Sequence, residues 1–233
     1  MRKLFVVWCL TIAIICFPSH VKAASIDFTF TADNWVLFWY QNGNPPILLS
    51  GLDSNASNWR VATKVTLDLE IGKTYEIIWQ TENVSSPGQS PGAFLAEISS
   101  AVSLNTPSLY SSSSWQVALL RGGSRDMIAD FSSLTWVSAT EYGSNDDSST
   151  IWYQYNNNSP ISGISGNANW IWWETNWMDP AAPAAYDAVF IKTTLTPVPE
   201  PSTLWLFVLG LVGLTGVRVY KEIFCALSRF RVP

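Results

Sequence analysis

The sequence predicts an all-β domain, an antiparallel β-sandwich or jelly roll, held between two terminal segments of different character. Three observations lead there. The middle of the chain is a succession of short runs rich in β-branched and aromatic residues, separated by clusters of Gly, Pro, Asn, Asp and Ser. No window between the two ends carries a sustained 3.6-residue apolar repeat. Each end holds an uncharged apolar run flanked by basic residues, which reads as targeting rather than as core.

In chain order, residues 1–23 begin with Arg2 and Lys3, continue uncharged from Leu4 to Phe17, and close on the small residues Val21 and Ala23. This is the layout of a secretory signal peptide cut by signal peptidase, with Ala24 as the first mature residue. The following stretch, 24–197, opens with "IDFTFTADNWVLFWY". Large apolar residues on both faces of Trp35 to Tyr40 predict a strand covered on both sides. In "VATKVTLDLEIG", Val65, Leu67 and Leu69 alternate with Thr66, Asp68 and Glu70, the pattern of a strand with one buried face. "TYEIIWQT", "GAFLAEIS", "SWQVALL", "TWVSATEYG", "TIWYQY", "WIWWETN" and "DAVFIKTTL" are read as further strands. "NGNPP", "GLDSNAS", "SSPGQSPG" and "GSNDDSS" supply the turns between them.

The last segment, 198–233, holds a second apolar run. Leu204 to Val217 is uncharged, and extended to Ser202–Tyr220 it forms about 28 Å of helix, close to the roughly 30 Å core of a bilayer. A single transmembrane helix is expected at about 203–219, with a basic tail over 218–233. Arg218, Lys221, Arg229 and Arg231 outweigh Glu222 there, which keeps the tail cytoplasmic and the central domain outside.

The order Val198-Pro199-Glu200-Pro201-Ser202, apolar helix, basic tail resembles the PEP-CTERM sorting signal of bacterial proteins handled by an exosortase. The family's Pro-Glu-Pro motif falls on Pro199, Glu200 and Pro201. The tail is longer and less densely basic than the short Arg cluster usual in that family. The resemblance implies export, transient anchoring in the inner membrane, cleavage near Pro199 to Pro201, and release to the cell surface or extracellular matrix. A looser resemblance covers most of residues 26–192. "TADN" at 31–34, "NG" at 42–43, "NWRVA" at 58–62, "LEIGKTYEI" at 69–77 and "PGAFLAEI" at 91–98 follow the order seen in galactose-binding-like jelly rolls. "DFSSLTWVSATEYG" and "ANWIWWETN" are similar to later pieces of the same modules, which often bind sugars.

Composition then narrows the chemistry. Cys9, Cys16 and His20 lie in the leader and Cys225 in the tail, so 24–197 contains neither cysteine nor histidine. That removes Ser-His-Asp triads, thiol nucleophiles and the usual transition-metal ligands. It also means that the exported domain is held by its core rather than by disulfides. Six basic residues against sixteen acidic ones give this stretch a net charge of −10, which argues against nucleic acid or an anionic membrane surface as a partner.

Two kinds of candidate site remain. Eleven tryptophans lie in the exported stretch, and an exposed indole offers a flat apolar platform for a sugar ring, beside Asn and Asp that bond hydroxyls. The loop-border candidates are Trp59 with Asn58 and Arg60, and Trp177 with Asn176. Oxygen donors for calcium are Asp146 and Asp147 with Asn145, and Asp33 and Asn34 with Asp187 or Glu97. The expected protein is an exported, exosortase-targeted sandwich without catalytic activity that contacts polysaccharide. The alternatives are a structural matrix or biofilm protein with no defined ligand, and a glycoside hydrolase or lyase using a carboxylate pair.

Overall fold

The structure is a computed structural model that describes residues 23–33, 35–43, 45–49, 58–82, 92–122, 130–173 and 187–198. The chain divides into two units between Pro197 and Val198, and the strands belong to the first. The leader through residue 22, Asn34, Asn176, Trp177, Pro199, Glu200, Pro201 and the expected transmembrane helix lie outside the described residues. Among the described residues no helix is long and apolar enough to cross a membrane.

Two antiparallel sheets face each other. The strands are β1 (Ala23–Asp33), β2 (Trp35–Gln41), β3 (Ile47–Leu48), β4 (Thr63–Glu70), β5 (Tyr75–Glu82), β6 (Ala93–Ser100), β7 (Leu104–Asn105), β8 (Gln116–Leu120), β9 (Val137–Ser138), β10 (Thr140–Ser144), β11 (Asn169–Trp172) and β12 (Ala188–Pro197). The first sheet has the order β10-β11-β6-β1-β4, the second β3-β2-β5-β12-β8-β9, with β7 paired to the end of β12. In chain order β1, β2, β4, β5, β6 and β8 alternate between the two sheets, β10 and β11 then follow each other in the first, and β12 returns to the second, so the fold is an all-β sandwich as the sequence predicts.

Period-two patterning explains the layers. Ile26, Phe28, Phe30 and Ala32 of β1 point inward, as do Val36 and Phe38 of β2, and all are buried. The core between the sheets is aromatic. Trp79 and Trp115 stack with centroids 5.3 Å apart and planes 7° apart, and Phe38 stacks on Trp79 at 5.3 Å. Phe28, Phe30 and Phe94 close around Trp79. Burying each such side chain contributes about 1.5–3 kcal/mol. The β4–β5 turn needs Gly72, which sits at φ +86° while Lys73 N–H donates to Glu70 O at 3.3 Å.

Both outer faces are partly covered. On the first sheet, Leu95 and Trp170 pack under Trp152, Ile161 and Ile164. The structure divides two expected strands, "IDFTFTADNWVLFWY" into β1 and β2 and "TWVSATEYG" into β9 and β10, each pair in different sheets, and it replaces a third. "TIWYQY" contains a short helix, α1 (Ile151–Tyr155), because the Thr150 side chain accepts the Tyr153 N–H at 3.2 Å and caps it. The amphipathic turn buries Trp152 and leaves Tyr155 exposed. On the second sheet, Phe131, Leu134 and Trp136 cover Trp39, Ile78, Ala118 and Phe190.

Candidate ligand groove and sorting segment

The outward positions of the second sheet are not all covered. Beside the Phe131–Trp136 segment lies a half-open groove of about 360 Å³ lined by Gln41, Pro46, Glu76, Ile78, Asp130, Phe131, Ser132, Trp136 and Lys192. Register assembles it. Gln41 of β2 stands opposite Glu76 of β5, and Ile78 of β5 opposite Lys192 of β12. Lys192 Nζ lies 3.2 Å from Glu76 Oε1, and Gln41 Nε2 donates to Glu76 Oε2, so a chain amide–carboxylate–ammonium runs along the floor. Lys192 Nζ also stands 4.3 Å from the Trp136 ring centroid, an attraction that fixes the indole at the groove wall. Only 14% of the Lys192 side chain is exposed, against 36% for Glu76, so the ammonium is held in place while the carboxylate stays accessible. At the rim, Asp130 Oδ1 accepts from the Ser132 hydroxyl at 2.6 Å and from its N–H at 2.9 Å. Those bonds hold the Asp130 carboxyl below the ordinary aspartate range.

This arrangement offers fixed donors and acceptors beside an apolar ring, which is what a polyhydroxylated ring needs. Sequence reasoning missed it. The outward parity of Gln41, Glu76 and Lys192 is visible in the sequence, but their meeting depends on the registers of three strands that are distant along the chain.

The described sites expected from sequence lie elsewhere in the sandwich. Trp59 is half-buried on the other sheet, edge-on to Trp170 at 6.2 Å and tilted against Trp152 at 6.4 Å. The Arg60 guanidinium lies 4.9 Å from its ring centroid and is tied to Tyr155 O by a 3.2 Å hydrogen bond from Nε. Asn58 Oδ1 accepts the Arg60 N–H at 3.2 Å, and Trp59 O accepts from Thr31 Oγ1 at 2.7 Å. Trp59 is thus a packed cap, held by Trp152 and Trp170 against the outer face of the first sheet.

The carboxylates expected to bind calcium do not converge. Asp146 Oδ1 accepts from Ser144 Oγ, and Asp147 Oδ1 from both Ser149 N–H and Oγ, which closes local turns. Asn145 is turned inward: Oδ1 accepts Ile161 N–H at 2.8 Å, and Nδ2 donates to Ile161 O and Ile164 O. Asp187 accepts from Arg121 Nη1 at 2.6 Å and from Gly122 N–H at 2.7 Å. Asp33 and Glu97 share the outer face of the first sheet, but Asp33 pairs with Ala93, four residues along β6 from Glu97. Glu97 Oε2 is bonded to Ser165 N–H. Among the described residues no group of three His, Cys, Asp or Glu could hold a metal ion.

At the other end of the chain, residues 197–219 match the family model described as the PEP-CTERM protein-sorting motif. The chain carries a PEP-CTERM signal. It is therefore an exported protein targeted to an exosortase at the membrane, as the Pro199-Glu200-Pro201 reading implies. The PEP-CTERM match begins where β12 ends, at Pro197. No curated protein and no solved structure was found to match the chain. The galactose-binding-like resemblance rests on the sequence motifs alone.

Proposed function

We propose that the exported sandwich is a non-catalytic carbohydrate-binding module, released to the cell surface or matrix, whose polysaccharide ligand lies in the groove on the second sheet. One observation carries this reading: Gln41, Glu76 and Lys192 form a fixed polar floor beside the Trp136 indole in a groove of about 360 Å³, within the usual range for ligand sites. Sugar C–H groups lie against the indole, and hydroxyls exchange water for the carboxylate, amide and ammonium. No proton transfer is required of any of them.

The test is a glycan array probed with the chain produced in an exosortase-bearing host. Saturable binding is expected. It should weaken about tenfold or more in Trp136→Ala and Glu76→Gln, consistent with loss of one central aromatic or charged contact, and stay unchanged in Trp59→Ala. A blank array from folded protein, or binding indifferent to both groove variants, would return the weight to a structural matrix role.

A further inference from the structure

The first sheet ends on β4, and this edge is built unlike the others. The terminal strands of the second sheet, β3 and β9, have two residues each. The opposite edge of the first sheet, β10, has a register irregularity between Glu141 and Ser144, with Gly143 at φ +104°. Short and bulged edges discourage further pairing. β4 runs eight residues, TKVTLDLE, in unbroken register with β1 and with no Pro or Gly. Among the described residues nothing pairs with its outer side.

The groups presented on that side follow from the ladder. Ala96 O and Ile98 N–H of β6 bond Ser111 and Leu109, on the side away from β1. Alternate residues of an antiparallel strand point to opposite neighbours, so β6 bonds β1 through its odd-numbered residues, facing Asp27, Thr29 and Thr31. The even-numbered residues of β1 then bond the odd-numbered residues of β4. That leaves the backbone N–H and C=O groups of Lys64, Thr66 and Asp68 aimed out of the sheet. Glu70 N–H points the same way and is taken by the Tyr75 hydroxyl at 3.0 Å.

We propose that β4 pairs antiparallel with β4 of a second copy of this chain, about a two-fold axis at Thr66. In this register Thr66 opposes Thr66 and Lys64 opposes Asp68, so every directly opposed pair of the outward set is of the hydrogen-bonded kind. Opposite charges across strands are favourable, and the two-fold supplies the Lys–Asp pair twice. On the inner face Val65, half-buried at the edge, meets Leu67 of the copy and extends the apolar layer. Centring the pairing on Asp68 would oppose two carboxylates. Centring it on Leu67 would set Lys64 against Glu70, whose N–H is already used. The interface is independent of the groove, which lies on the other sheet.

Sedimentation equilibrium of the full chain, produced with its leader and sorting segment in an exosortase-bearing host, tests this. A dimer is expected, weakened about tenfold by Asp68→Lys, which replaces two cross-strand ion pairs by repulsion and leaves the Lys64–Asp27 pair of each copy in place. Adding Lys64→Asp exchanges the opposed charges and restores association. Melting curves of each variant separate a lost interface from a lost fold. Thr66→Cys gives a second readout, because opposed residues of this kind lie about 5.5 Å apart, within disulfide reach, and 24–197 has no other cysteine. Oxidation should link two copies through position 66, whereas a cysteine placed at the exposed Ser99 of β6 should not link. A monomeric chain, failure to cross-link through position 66, or failure of the charge exchange to restore association overturns the proposal.

Discussion

Gly92 sets a packing distance by lacking a side chain. A Cβ there would lie 2.7 Å from Trp172 Nε1 and closer still to the ring carbons, and Trp172 is fully buried. Gly92→Ala should therefore cost about 1–3 kcal/mol by overpacking, read as a lower midpoint in urea. Asp33 makes a different kind of residue-scale statement. Burial pushes its carboxyl up to about 6, with the Arg60 charge pulling the other way. A carboxyl raised above its unfolded value of 3.8 costs stability once ionised, so the native state binds the extra proton between about pH 4 and 6. Unfolding free energy should accordingly fall by about 1–3 kcal/mol as pH rises through that window. Asp33→Asn should flatten the slope and Arg60→Gln should steepen it, both measurable by denaturation at a series of pH values. Asp27, held below the ordinary range by Lys64 and then Thr66, acts with the opposite sign at lower pH, where its protonation removes stabilisation.

Elements differ in how far the sequence foretells them. β4 was legible because strict alternation of apolar and polar residues has one physical reading when one face is buried. "TIWYQY" was not, since six residues of aromatic and polar type satisfy strand and helix equally, and the Thr150 cap decides. Trp59 was legible as a loop-border indole, yet its packing against Trp152 and Trp170 comes from segments far along the chain. The groove was illegible for the same reason: Gln41, Glu76 and Lys192 become neighbours only through register. The loop over 145–168 hangs on Asn145, whose side chain makes three buried hydrogen bonds to Ile161 and Ile164 backbone. Asn145→Ala should leave those groups unsatisfied at a cost of about 1–3 kcal/mol. Hydrogen exchange is expected to speed up across 145–168 while β5 stays protected; uniform acceleration would instead mean that the loop is part of the global unit.

At the scale of the whole molecule, the alternation of strands between sheets makes nearly every pairing non-local, which slows folding. β12, the last strand, lies inside the second sheet between β5 and β8, so that sheet is incomplete until residues 188–197 are in place. Mass spectrometry of the exported chain should show an end near residue 200, and replacing the Pro199-Glu200-Pro201 motif should leave the tail attached. β12 is also the last element before the PEP-CTERM segment. A pull applied beyond Pro197 would enter the domain along β12, which is laced to β5 over Ala188–Leu195 and to β8 over Ala188–Lys192. Its hydrogen bonds would then be loaded together in shear rather than unzipped one at a time. The domain is thus suited to bear tension applied at its C-terminal strand.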